Sequence, residues 1–158
     1  ATRVASEANQ LAANGGKGEP SKFTPDEQRT MMTLWSIMRS PLIMGGDLPQ
    51  CDAFTLSLLT NPEVIAVDQN SRNNRPILTK GDFTVWTAEA PNGKDRYLGV
   101  FNLGESAGTF EVAWKELGIP GERWTLRDLW RREDLGADLG LRLSLAPHAS
   151  ALFGLSAP

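Results

Sequence analysis

Residues 23–69 read FTPDEQRTMMTLWSIMRSPLIMGGDLPQCDAFTLSLLTNPEVIAVDQ, and this stretch decides the fold class. Thr24 with Glu27 three positions on makes a capping box, Pro25 takes the first helical position, and Asp26 and Glu27 suit the positive end of a helix. Apolar side chains at Met31, Leu34, Trp35 and Met38 follow a 3.6-residue period and predict the buried face of that helix. Pro41 drives Ser40 out of the α region and ends it. Leu42, Ile43 and Met44 then form a wholly apolar run, which predicts a short parallel strand buried on both faces. Gly45, Gly46 and Asp47 break the run. Asp52 is placed to cap a second helix carrying Phe54, Leu56, Leu58 and Leu59, and Pro62 opens a short helical turn through Glu63, Val64, Ile65 and Val67. Helix, strand and helix in this order form one α/β unit of the kind that ends a barrel.

From Asn74 onward the pattern changes period. Phe83 and Val85 alternate with Thr84 and Trp86, and Tyr97, Gly99 and Phe101 alternate with Leu98, Val100 and Asn102, which is the two-residue repeat of strands. Asn92-Gly93 between these runs is a strong hairpin signal. Phe110 and Val112 mark another strand, and residues 124–129, 139–145 and 150–155 mark three more. Leu141, Leu143 and Leu145 face one way with Arg142 and Ser144 the other, as in an antiparallel sheet with one wet face. Short strands at this spacing predict a sandwich, with Phe83, Val85, Phe101, Val112, Leu141, Leu143 and Phe153 in its core. The fold class is therefore α+β. Residues 1–22 read as a flexible segment, 23–72 as the last helix-strand-helix portion of a (β/α)8 barrel, and 73–158 as an antiparallel β-sandwich.

Composition narrows the function. With 158 residues the chain is too short for a complete (β/α)8 barrel, which takes about 250. A net charge of −3 and the lack of a basic cluster argue against a nucleic-acid partner. Arg131-Arg132 is a dipeptide flanked by Glu133 and Asp134, and reads as a solvated surface. No apolar run approaches the about 20 residues of a membrane span, so no membrane is implied. Cys51 is the only cysteine, which excludes an intrachain disulfide and a zinc cluster. It sits at a predicted helix start, where packing is the plainer role than nucleophilic chemistry. His148, the only histidine, falls in a turn between two apolar strands, with no G-x-S-x-G elbow to pair with. Trp114, Trp124 and Trp130 invite stacking on sugar rings, yet large aromatics in a small sandwich mainly fill its core. Asp128 with Glu133 and Asp134 has no environment that would shift a pKa, and reads as a charged loop.

The run from Leu34-Trp35 through Ser40-Pro41-Leu42 to Asp47-Leu48, followed by Asn61, Glu63-Val64-Ile65-Ala66-Val67 and Asp68-Gln69, resembles the end of the catalytic barrel in glycoside hydrolase family 27, the α-galactosidases and α-N-acetylgalactosaminidases. Two long motifs in the right order and spacing carry this resemblance, and the remainder resembles the family's C-terminal β domain. The resemblance implies a parent that hydrolyses terminal α-linked galactose with retention, without metal or organic cofactor, in a secreted or periplasmic setting. Retention takes two carboxyl groups about 5 Å apart, one attacking the anomeric carbon and one protonating the leaving oxygen. The family's two aspartate motifs, a Lys-x-Asp on an earlier barrel strand and an Asp-x-Asp-Met, are not supplied by residues 1–22 ahead of the barrel end, so no catalytic residue is carried over.

Barrel active sites lie at the C-terminal ends of strands. The corner Met44, Gly45, Gly46 and Asp47 is accordingly the candidate pocket lining, with the glycines admitting backbone close to a sugar and Met44 forming an apolar wall. The competing reading is a tight turn in which Asp47 caps backbone amides. A carbohydrate substrate is expected only in the intact parent. The helix-strand-helix segment is expected to self-associate or to pack on a partner such as the missing barrel part. The rival functions are a stand-alone carbohydrate-binding module and a structural sandwich.

Overall fold

A computed structural model describes residues 21–46 and 48–157, so the expectation for residues 1–22 lies almost wholly outside the described residues. Helix α1 (Pro25–Met38), α2 (Ala53–Leu59) and α3 (Pro62–Asn70) come first. Strands β1 (Arg72–Lys80), β2 (Phe83–Glu89), β3 (Arg96–Asn102), β4 (Gly108–Ala113), β5 (Trp124–Asp128), β6 (Glu133–Asp138), β7 (Gly140–Leu145) and β8 (Ser150–Ser156) follow.

The helix starts are those the sequence dictates. The Thr24 hydroxyl accepts from the Glu27 amide, and the Thr24 amide donates to the Glu27 carboxylate at 2.7 Å. Asp52 accepts from the Thr55 amide, and Asn61 accepts from the amides of Glu63 and Val64. Each cap satisfies donors that a helix leaves orphaned. After Pro62, α3 runs for nine residues, longer than the short turn expected.

The strands form a sandwich of unequal sheets. Six pair antiparallel in the order β1-β2-β3-β8-β5-β6, and β4 pairs antiparallel with β7 in a second, two-stranded sheet. Phe83, Val85, Leu98, Val100, Phe110, Val112, Trp114, Leu141 and Phe153 fill the space between the sheets. Phe83 and Phe110 meet across it with ring centroids 5.3 Å apart. The predicted core residues are all buried except Leu143, which is half-buried. Arg142 and Ser144 point to water from β7, so that sheet has the one wet face expected.

The larger sheet has no such free face at its centre. Its outer side carries a second core of Ile37, Val64, Val67, Ala88, Phe101, Leu129 and Leu152, in which α1 and α3 cover β2, β3 and β8. Phe101, expected in the sandwich interior, belongs to this layer. Gly99 makes the close approach possible, because a Cβ there would stand 3.1 Å from the Phe101 ring and 3.6 Å from Ile37 Cδ1.

Two local expectations are corrected. The buried face of α1 is Met32, Thr33, Ser36 and Ile37, not Met31, Leu34, Trp35 and Met38. Trp35 and Met38 are 39% and 47% exposed. Counting apolar positions picks the greasiest face of a helix, but small hydroxyl residues let a helix sit closer to a sheet and bond to it. The second correction is the strand at Leu42–Met44. Residues 41–46 follow no strand, and Ile43 is 88% exposed. A parallel strand needs hydrogen-bonding neighbours on its edges, and among the described residues none lies beside this run.

Candidate functional site

The corner expected to line a pocket leaves α1 through Arg39, whose φ of 56° is left-handed and closes the helix with amide bonds to Ser36 and Trp35 carbonyls. Arg39 also donates from Nε to the Asp68 carbonyl at 2.8 Å and from Nη2 to the Gln69 carbonyl at 3.2 Å, tying the end of α1 to the end of α3. Met44 is partly exposed, and its methyl lies where a side chain on Gly46 would begin. Nothing lies within 4 Å of the Cβ position of Gly45. Neither glycine has a positive φ. Asp47 lies outside the described residues. Residues 44–46 thus form an open, solvent-facing bend; the turn Leu48–Gln50 comes next, then Cys51, whose amide donates to the Leu48 carbonyl.

Two clefts occur elsewhere. One of about 620 Å³ lies beside Trp114, Ile119, Pro120 and Leu139. Another of about 600 Å³ lies between the sheets, where β7 has no neighbour opposite β5 and β6; Leu126, Leu141 and Phe153 floor it, with Asp128, Arg131 and Arg142 around it. None of Met44, Gly45 or Gly46 lines either cleft.

The charged groups are mostly structural. Glu63, at the start of α3, receives Arg127 through two bonds of 2.9 and 2.8 Å, and Arg132 at 3.3 Å. The Arg127 guanidinium holds the Glu63 carboxyl below the usual carboxylate range, which is the wrong direction for a general acid. Asp68 is pushed the other way, because burial disfavours its charge; its Oδ1 has no hydrogen-bond partner. Asp128 caps the turn after β5 by accepting from the Trp130 and Arg131 amides, and Asp134 pairs with Arg127 at 2.8 Å. So Asp128 and Asp134 serve structure, and Arg132 reaches a partner from a stretch read as solvated. Among the described residues no group of three or more His, Cys, Asp and Glu is placed to hold a metal ion.

The tryptophans are held by their indole N–H groups. Trp114 donates to the Asp138 carbonyl, Trp124 to the Pro120 carbonyl, and Trp130 to Thr33 Oγ1. Trp114 and Trp124 are buried, which removes the flat exposed faces that sugar stacking needs. His148 occupies the turn expected: Thr30 Oγ1 donates to its carbonyl at 2.7 Å, and its ring nitrogen lies 3.2 Å from a Glu105 oxygen. What sequence reasoning missed is the seam between helices and sandwich. Its members Thr33, Asn61, Arg127, Trp130 and Ser150 are scattered along the chain, and the only local signal was Asn61 before Pro62.

A capped helical segment laid on a sandwich of six and two strands, with barrel-end motifs in the helices, defines the class: the barrel terminus and C-terminal domain of a glycoside hydrolase. Residues 80–155 match the family model of the α-galactosidase C-terminal β-sandwich domain, and residues 20–70 match that of α-galactosidase A. The chain belongs to glycoside hydrolase family 27 and corresponds to its C-terminal portion. It is 33% identical to the α-galactosidase of Coffea arabica over 120 residues, covering 74% of this chain and 30% of that protein. The α-galactosidase A of Aspergillus niger is 32% identical over 86% of this chain and 26% of its own length. Among solved structures, the family 27 β-L-arabinopyranosidase of Geobacillus stearothermophilus superposes with a TM-score of 0.83 at 45% identity, over 88% of this chain and 32% of that one. The chain therefore spans about a third of the proteins it matches.

Proposed function

We propose that this chain is the C-terminal portion of a retaining glycosidase that removes terminal α-linked galactose from oligosaccharides or glycoconjugates. The observation that carries the reading is an uncovered apolar surface on the part that matches α-galactosidase A. Seven of the ten exposed large apolar side chains among the described residues, from Phe23 to Leu56, belong to that part. Exposed apolar surface of this extent marks a contact with further protein, and it supports a barrel packed there in the whole enzyme. The sandwich then serves as a support, and the bend at Met44, Gly45 and Gly46 faces the barrel's active end.

The reading places the two catalytic carboxylates outside this chain. Purified alone, the chain should not hydrolyse an aryl α-galactoside, since nothing in it supplies both attack and leaving-group protonation. Turnover that persists through repurification would overturn the assignment. A second reading is favoured by the 45% identity to the arabinopyranosidase. β-L-Arabinopyranosides share the ring configuration of α-D-galactosides and lack only the hydroxymethyl group. Assaying the whole enzyme on both aryl glycosides separates the two: a higher kcat/KM on the arabinoside would replace galactose with arabinose as the substrate.

A further inference from the structure

Trp130 is gripped from two sides. Its indole Nε1 donates to Thr33 Oγ1 on α1 at 2.9 Å, and its carbonyl accepts from Asn61 Nδ2 at the head of α3 at 3.4 Å. Asn61 is buried and uses its whole amide. Its oxygen caps α3 through the Glu63 and Val64 amides at 3.0 and 3.3 Å, while its nitrogen also donates to the Leu129 carbonyl at 2.9 Å. Thr33 is equally committed: its hydroxyl donates to the Arg29 carbonyl at 2.8 Å and accepts from Ser150 Oγ on β8 at 3.0 Å as well as from Trp130. Beside them Arg127 clamps Glu63, and at the far end Asn74 Nδ2 donates to the Ile37 carbonyl at 2.7 Å. These links are directional, and those of Asn61 to Leu129 and of Ser150 to Thr33 are buried. Such bonds fix an orientation that the apolar layer of Ile37, Val64, Phe101 and Leu152 would only hold together.

We propose that Thr33 and Asn61 are positioning residues through which the sandwich sets the orientation of α1 and α3, and thereby the end of α1 from which the chain leaves at residue 40. On this assignment α1 and α3 belong to the sandwich's cooperative unit, not to a separable barrel end, whichever sugar the whole protein takes. The linkage runs from Trp130 and Ser150 through Thr33 and Asn61 into both helices. Arg39 then joins the two helix ends at the point where the bend begins.

Hydrogen exchange on the full chain tests it, comparing wild type with Thr33→Val, Thr33→Ser and Asn61→Asp. In the wild type, core amides of α1 and α3 should exchange at the slow rate of β3 and β8. Thr33→Val keeps the volume but strands the Trp130 and Ser150 donors, and Asn61→Asp keeps the cap but aims an acceptor at two carbonyls. Stranding a buried polar group corresponds to roughly a 5–150-fold change in an opening equilibrium. Amides of α1 and α3 should therefore exchange faster by that factor, and those of β3 and β8, which share the cooperative unit, should accelerate with them. Thr33→Ser should restore wild-type rates. If Thr33→Val does not fold, Trp130→Phe removes the same indole donor and should give the same joint acceleration. Acceleration confined to α1 and α3, with β3 and β8 at wild-type rates, would mark a separable barrel end and overturn the proposal. Helices that already open more than tenfold faster than β3 in the wild type, or a serine variant as disrupted as valine, would also overturn it.

Discussion

Leu141 and Leu143 stand two residues apart on β7, point to the same side, and should respond differently to truncation. Leu141 is 4% exposed and packs among Val112, Leu126 and Phe153, whereas Leu143 is half-buried beside the cleft between the sheets. The difference has a structural cause. The second sheet holds only two strands, so the edge of β7 has no neighbour opposite β5 and β6. Truncating a fully buried leucine costs about 2–5 kcal/mol, the spread reflecting how far the site collapses. Leu141→Ala should fall near the middle, at about 3 kcal/mol. Leu143→Ala removes a side chain already half in contact with water, and its transfer and cavity contributions should each be about halved, giving about 1–2 kcal/mol. In a chain of this size each 1 kcal/mol moves the melting temperature by about 2–4 °C. Leu141→Ala should thus lose roughly 6–12 °C, and Leu143→Ala roughly 2–8 °C. Urea titration followed by circular dichroism, with equal m-values, gives the two free energies directly. A Leu143 variant as costly as the Leu141 variant would mean the cleft is closed in solution, and a Leu141 cost below about 1 kcal/mol would mean the register of β7 is wrong.

Acid titration should show opposite signs for two carboxylates. Glu63, held low by Arg127, contributes stability present above about pH 4.5 and lost as pH falls through its folded pKa, so Glu63→Gln should flatten the acid limb of the stability curve. Asp68, held high by burial, opposes folding as pH rises through its folded pKa; Asp68→Asn should raise the unfolding midpoint at pH 7 and make no difference well below pH 3.8. An unchanged acid limb for the first, or a lower midpoint at pH 7 for the second, would refute these assignments. Glu27→Ala removes half of the capping box and should speed exchange in the first turn of α1, read by amide hydrogen exchange. Amides of Leu42, Ile43 and Met44 should exchange at nearly unprotected rates in the isolated chain, because no strand pairs with them; slow exchange in a dilute monomer would contradict the open bend.

Local chemistry was legible where neighbours in sequence are also neighbours in space. Thr24 with Glu27, Asp52, and Pro62 mark the helix starts because caps and first-turn residues act within three residues of themselves. Alternation at Phe83, Val85, Phe110, Val112 and Leu141 marks the sandwich interior because strand side chains alternate by geometry alone. Tertiary packing decided the rest. Which side of α1 is buried depended on Gly99 leaving room for Ile37 and on Thr33 finding Trp130 and Ser150, partners 97 and 117 residues away. The double-sided burial of β3 and β8 was hidden because a two-residue period shows alternation but not what covers each face. Leu42–Met44 reads as a strand in sequence yet forms none, since strand pairing is a property of two chains of backbone and apolar character supplies only one of them.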